Sequence, residues 1–260
     1  MGGNPVAELK VDKARVLVFR TRSEIGRAAA HLVADLVRDL TRESGEPINM
    51  VFAAAPSQDE FLEALVRIPG IDWGRVQAFH LDEYLGLPPE APQRFSQYLQ
   101  EKIFSRLPFK KVFYIDPDRS SSPEETCARY RALLDENPLH VACIGIGENG
   151  HIAFNDPPLA DFQDPCKVKV VKLEERSRRQ QVNDGCFPSL EEVPTHAVTL
   201  TVPAIMEART IVCVVPGARK REAVKAALNG PISPACPASI LRKHPNATIF
   251  LDEESASLIL

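Results

Sequence analysis

The sequence predicts an α/β fold: a Rossmann-like, mostly parallel β-sheet with helices on both faces. Three observations carry that prediction. Short β-rich runs alternate with longer stretches of helical periodicity along most of the chain, the pattern left by repeated strand–helix crossovers. The run His140-Val141-Ala142-Cys143-Ile144-Gly145 is apolar without alternation, as a central strand covered on both faces has to be. The polar clusters that stand out from their surroundings follow directly after predicted strands, where such sheets place their ligand sites.

Taken in order, a first strand is predicted over 14–19. A helix follows over 23–43, where Ile25, Ala28, Ala29, Leu32, Val33, Leu36, Val37 and Leu40 repeat at helical spacing. Thr21 and Glu24 have the spacing of a capping box, and Gly45 is placed to end the helix. Strand–helix pairs are then expected at 48–54 with 59–66, 75–81 with 95–104, and 111–115 with 123–134. Strands at 140–145, 168–171, 196–201, 210–215 and 247–251 complete the sheet, with a helix over 218–228 closed by Gly230-Pro231.

Length and composition narrow the function classes. At 260 residues the chain suits one α/β domain, expected over 1–260. Hydrophobic residues at 44% and charged residues at 25% are ordinary for a soluble globular protein. A net charge of −4 with no basic block gives no electrostatic footprint for nucleic acid. The six cysteines lie far apart with no C-x-x-C pair, which argues against a disulfide framework and a zinc site; Cys143 and Cys213 sit in apolar runs and are expected in the core. The segment Met1-Gly2-Gly3-Asn4-Pro5 lacks the pattern of a signal peptide, and no apolar run approaches the ~20 residues that span a bilayer. A cytoplasmic protein with no membrane partner is expected.

Two loops carry candidate chemistry. In Phe79-His80-Leu81-Asp82-Glu83-Tyr84-Leu85-Gly86-Leu87-Pro88, paired carboxylates end an apolar strand. Mutual repulsion and partial desolvation there raise the pKa of at least one of them toward that of a useful base. Taken alone, Asp82 and Glu83 also read as an ordinary acidic strand end. In the second loop, Gly145 to Pro158, three glycines in six residues permit a tight turn and close approach of backbone N–H groups to an anion. His151 follows, the side chain best suited to move a proton near neutral pH, and Asp156 is placed to orient it. The spacing G-x-G-x-x-G occurs from Gly145 to Gly150, without the first-strand position or acidic partner of a dinucleotide site.

At these two loops the sequence resembles the glucosamine-6-phosphate deaminase/isomerase family, whose active site is built from D-E-Y-x-G-L-P and G-x-G-x-(D/N)-G-H-I-A-F-N-(E/D)-P segments. Here they read Asp82-Glu83-Tyr84-Leu85-Gly86-Leu87-Pro88 and Gly145 to Pro157. The related 6-phosphogluconolactonases share the fold but typically carry D-E-R in the first loop, so Tyr84 and Ile152-Ala153-Phe154-Asn155 favour the deaminase side. The resemblance implies conversion of an amino-sugar 6-phosphate to a ketose 6-phosphate and ammonia, without metal or organic cofactor, and commonly in a homo-oligomer. It casts Asp82 as the base that moves a proton from C2 to C1, His151 as the ring-opening acid and base, Asp156 and Asn149 as its partners, and Glu83 as part of the pocket. Lys220 matches a lysine that pairs with the substrate phosphate, with Ser57 and Gly150 as further substrate contacts; on its own Lys220 would read as a solvent-facing helix lysine.

The departures are informative. Asn149 stands where most members have Asp, and Asp156 where many have Glu. The usual glycine-rich phosphate loop is Ala54-Ala55-Pro56-Ser57-Gln58, and Asn183-Asp184-Gly185-Cys186-Phe187 lacks the arginine that grips the phosphate, so Arg178 or Arg179 is the expected replacement. Two other readings are a lactonase in which His151 activates water, and a non-catalytic sugar-phosphate sensor.

Overall fold

The computed structural model describes residues 3–157 and 159–260, so Met1, Gly2 and Pro158 of the segments discussed above lie outside the described residues. Its strands are β1 (Ala7–Val11), β2 (Ala14–Phe19), β3 (Ile48–Phe52), β4 (Val76–His80), β5 (Asp82–Tyr84), β6 (Lys111–Val112), β7 (Val141–Ile144), β8 (Val168–Lys172), β9 (His196–Leu200), β10 (Thr210–Val215) and β11 (Ala247–Asp252). Eight of them form one sheet in the order β1-β2-β11-β10-β7-β3-β4-β6. Every pairing in it is parallel except the β1–β2 hairpin at one edge.

Strand alternation divides the interior into two cores. Val51, Phe79, Ala142 and Ile144 pack on one face, and Met50, Phe52, Val141 and Cys143 on the other. Helices α1 (Arg22–Glu43), α2 (Asp59–Arg67) and α3 (Phe95–Leu99) cover the second face; α4 (Pro123–Glu136), α6 (Val202–Met206) and α7 (Arg221–Asn229) cover the first. Helix α6 and two further helices, α5 (Glu175–Asn183) and α8 (Glu253–Ala256), were not expected from the sequence. Because both faces are buried, the central strands read as continuous apolar runs. Phe52 and Phe79 are fully buried on opposite faces, and truncating either to Ala would cost about 3–5 kcal/mol.

Local signals held where the backbone alone decides. The Thr21 hydroxyl accepts from Glu24 N at 3.2 Å while Glu24 Oε2 accepts from Thr21 N, the reciprocal capping box. The other end of α1 closes one residue earlier than expected, on the extended Ser44 rather than on Gly45. The stretch 95–104 is α-helical only to Leu99 and continues as a π turn. The predicted strand at 111–115 stops at Val112 because Ile115 N donates to the His80 ring instead of to the sheet.

Two predicted strands belong to a different sheet. β8 and β9 do not join the parallel sheet; with β5 they make a three-stranded antiparallel sheet in the order β5-β9-β8. The chain leaves β4, bends at Leu81 and pairs again immediately, so Asp82 and Glu83 are strand residues rather than loop residues. The difference shows in β8, where only Val168 is fully buried and Lys169 and Lys172 interrupt the apolar residues, unlike the continuous runs of the central strands. Cys143 and Cys213 lie in the core, at 1% and 0% exposure. Among the described residues no helix is long and apolar enough to cross a membrane.

Candidate active site

The sheet reverses its winding at β3 and β7, which are neighbours: the chain runs outward from β3 to β4 on one side and from β7 to β10 on the other. Such a switch point leaves a crevice at the carboxyl ends of the strands. A cleft of about 500 Å³ lies there, and Ser57, Asp82, His151 and Lys220 all line it. Residues separated by up to 163 positions in sequence thus meet because four parallel strands end at one edge.

Asp82 is 6% exposed, and its carboxyl oxygens have no protein hydrogen-bond partner among the described residues. Its backbone is held instead. Asp82 pairs with Thr199 of β9, and its carbonyl accepts from the His80 ring at 2.9 Å. The other ring nitrogen of His80 accepts from Ile115 N at 2.8 Å, so the proton sits on Nδ1 and the buried ring is neutral. Burial lowers the His80 pKa to about 4, against the opposing pull of the Asp82 carbonyl. Burial first, and the neighbouring Glu83 second, push the Asp82 carboxyl well above the ordinary range. Desolvation therefore outranks the repulsion between the paired carboxylates that the sequence suggested.

Glu83 does not line the cleft, which corrects its expected contact with substrate. Strand alternation turns it to the opposite side from Asp82. There its carboxylate accepts from Tyr84 N at 3.0 Å, Phe95 N at 3.1 Å and Ser96 N at 2.9 Å. These bonds tie β5 to the start of α3 and satisfy amides that a helix leaves unpaired. Burial raises the Glu83 pKa, opposed by the donors of Ser96, Phe95 and Tyr84.

His151 is fixed by side chains. Asn149 Oδ1 accepts from His151 N at 3.1 Å and lies 2.7 Å from His151 Nδ1, while Asn149 Nδ2 donates to Asp156 Oδ1 at 3.0 Å. This orientation of the amide requires a proton on Nδ1, and Nε2 has no protein partner among the described residues. Asp156 Oδ1 is itself 3.1 Å from Nδ1. Burial pushes the Asp156 carboxyl up, but His151, Asn149 and Ser177 outweigh it and hold it below the ordinary value. The ring lies against Gly147, where a Cβ would come within 2.1 Å of Cε1. Only glycine leaves room for it.

Gly150 plays a different part from the one expected. Its φ of +85° and the 2.7 Å that would separate a Cβ from Cys236 Sγ both demand glycine, but it does not line the cleft. Its N–H donates to the Gly147 carbonyl; likewise Gly147 N donates to the His151 carbonyl and Glu148 N to Gln180 Oε1. These three amides hold the loop's shape and are not turned toward an anion.

Lys220 ends a 3-10 turn, Ala218–Lys220, that leads into α7. It is 7% exposed and lines the cleft without an ion pair among the described residues. Burial, added to by Arg219 and opposed by Asp184 and Glu148, lowers its pKa to about 8. Ser57 lies across from it on the turn after β3, where its hydroxyl accepts from Gln58 Nε2 at 3.2 Å. Neither arginine replaces the missing one: Arg178 donates to the carbonyls of Leu190 and Val193, and Arg179 pairs with Glu175 at the surface. The cleft wall at that point is Gln180 and Gln181 of α5.

Ser177, Gln180 and Gln181 are site residues that the sequence reading missed. All three are buried polar residues on one helix. Their spacing of i, i+3 and i+4 was the available signal, since polar residues can mark a buried helix face when that face borders a site.

Comparison with known proteins identifies the family and the fold. The family model described as glucosamine-6-phosphate isomerases/6-phosphogluconolactonase matches residues 20–250. A glucosamine-6-phosphate deaminase of Bacillus thuringiensis (strain Al Hakam) is 39% identical over 243 residues, covering 94% of this chain and 88% of the relative. A solved glucosamine-6-phosphate deaminase described as monomeric superposes with a TM-score of 0.83 at 29% identity, covering 94% of this chain and 99% of that one. The 6-phosphogluconolactonase of Trypanosoma brucei shares the fold, with a TM-score of 0.77 at 18% identity over 98% of this chain and 100% of that one. The chain is a member of the glucosamine-6-phosphate isomerase/6-phosphogluconolactonase family.

Proposed function

We propose that this protein is an amino-sugar-phosphate deaminase that converts glucosamine 6-phosphate, or a close relative, and water into a ketose 6-phosphate and ammonia. The observation that carries the reading is the shared cleft, lined by a desolvated carboxyl (Asp82), an imidazole whose Nε2 is unbonded (His151) and a buried lysine (Lys220), none of these three groups having a protein partner there among the described residues. In this reading Lys220 and the Ser57 hydroxyl take the phosphate. His151 Nε2 accepts the proton of the anomeric hydroxyl and returns it to the ring oxygen as the pyranose opens. Asp82 then takes the C2 proton and delivers it to C1, while O1 gains a proton and the C2 amine gives one up, which leaves a C1 hydroxyl and a C2 imine. A carboxylate so poorly solvated is a stronger base than one in water. The resulting C2 imine adds water, releases ammonia and leaves the ketose. Asn149 and Asp156 act from behind His151.

The 39% identity to a deaminase supports this reading, whereas the solved lactonases of Thermotoga maritima and Trypanosoma brucei are 19% and 18% identical and speak for the fold. A coupled assay for ammonia over a panel of amino-sugar phosphates tests it, with 6-phosphogluconolactone as the counter-substrate. Ammonia release from at least one amino-sugar phosphate is expected; lactone hydrolysis without ammonia would replace the reading by the hydrolase one, and tight binding without turnover by the sensor one. The homo-oligomer implied by the resemblance, to which the solved deaminase described as monomeric is a counter-example, is checked by sedimentation velocity.

A further inference from the structure

We propose that Ser177 is a positioning residue for His151, and that its hydroxyl carries the negative charge of Asp156 to the imidazole. The inference rests on the deaminase reading only for its kinetic consequence.

Three oxygens surround His151 Nδ1, which has one proton to give. Asn149 Oδ1 is at 2.7 Å, Ser177 Oγ at 2.9 Å and Asp156 Oδ1 at 3.1 Å. The nearest oxygen belongs to a neutral amide, and the one that bears charge is the farthest of the three. Ser177 lies between the two unlike partners and is 1% exposed. Its single hydroxyl proton goes to Asp156 Oδ1, since that carboxylate can only accept. Its oxygen lone pairs are then left to accept from His151 Nδ1–H and, more distantly, from Asn149 Nδ2 at 3.4 Å. A hydroxyl that donates to a carboxylate is polarised by it and becomes a better acceptor. The chain Nδ1–H···Oγ–H···Oδ1 thus gives the ring a charged partner in a network whose residue 149 supplies none.

The same bonds decide the tautomer. With Ser177 accepting, both near oxygens favour the Nδ1–H form, and the free lone pair stays on Nε2 at the cleft. Without the hydroxyl, the ring keeps one neutral acceptor and a carboxylate held on that side by Asn149 Nδ2 alone. Its Nε2–H form then gains population, and that form cannot take a proton from the substrate.

The test compares Ser177→Ala and Ser177→Thr with the unaltered protein, using steady-state kinetics on glucosamine 6-phosphate and ¹⁵N NMR of the His151 ring. In Ser177→Ala we expect kcat to fall roughly 10- to 100-fold with KM changed less than about twofold. Its ring spectrum should move from Nδ1–H toward a mixture of tautomers, and Ser177→Thr, which keeps the hydroxyl, should restore the spectrum. A Ser177→Ala protein with the original tautomer and undiminished kcat overturns the proposal, as does a Ser177→Thr ring spectrum that matches that of Ser177→Ala. Absence of ammonia release by the unaltered protein would instead sink the deaminase reading, while the ring spectra would still decide the role of Ser177.

Discussion

The carboxyl of Asp82 is placed by its backbone, whereas the imidazole of His151 is placed by side chains. At the first position β5 pairs with β9, His80 grips the Asp82 carbonyl, and the carboxyl itself is left unbonded and poorly solvated. At the second, Asn149, Asp156 and Ser177 surround one ring nitrogen and leave the other open. The difference follows from what each group has to do. A base that takes a proton from carbon gains strength from being unsatisfied, so its neighbours must hold it without stabilising its charge. A histidine that passes protons between oxygens has to keep one tautomer, so its neighbours must bond to the ring.

Substitutions can break this contrast at either end. The largest effect is expected from Asp82→Asn, which removes the carboxylate assigned to the C2 proton and should lower kcat on the order of 10³-fold or more in the ammonia assay, with the circular dichroism spectrum unchanged. His151→Gln should cost less, about 10²-fold, because sugar rings also open in free solution; a loss equal to that of Asp82→Asn would mean that His151 serves the C2 step as well. Lys220 should show itself through pH. Its pKa of about 8 means that the cation is lost as pH rises through that value, so KM should climb about tenfold between pH 7 and 9 while kcat changes little. A Lys220→Met protein should have a high KM and no such slope. The smallest effect on turnover is expected from Glu83→Gln, which leaves the cleft lining untouched but places an amide donor against one of three backbone N–H groups. It should lower stability by about 1–3 kcal/mol in urea denaturation; an unchanged midpoint would show that Glu83 is not the clasp between β5 and α3.

How much of this was readable in the sequence depended on which forces shaped each segment. Strands β3, β7 and β10 announce themselves because burial on both faces leaves them almost wholly apolar, with Asn49 and Thr210 the polar exceptions, and the loop around His151 does so because its glycines and histidine have few other uses together. The second sheet was hidden, since a three-residue strand such as β5 has no periodicity to detect and its pairing with β9 is a matter of the bend at Leu81. Helix α5 was hidden for a different reason. Its buried residues are Ser177, Gln180 and Gln181, so a reading that equates burial with apolarity passes over it. The separate fates of Asp82 and Glu83 follow from the two-residue period of a strand, which becomes visible once the segment is known to be one.

The place of β11 has a consequence for how the site comes into being. The last strand of the chain lies between β2 and β10, pairing in parallel with both. It joins the β1–β2 hairpin to the five strands from β10 to β6 as a keystone joins two parts of an arch. During synthesis Asp82 and His151 emerge long before it, yet β10, which precedes Lys220, has no neighbour on that side until residues 247–252 have left the ribosome. Pairings so distant in sequence form slowly. The nascent protein should therefore acquire its cleft in one late step, and a chain arrested before β11 should carry both proton-handling groups and still be inert.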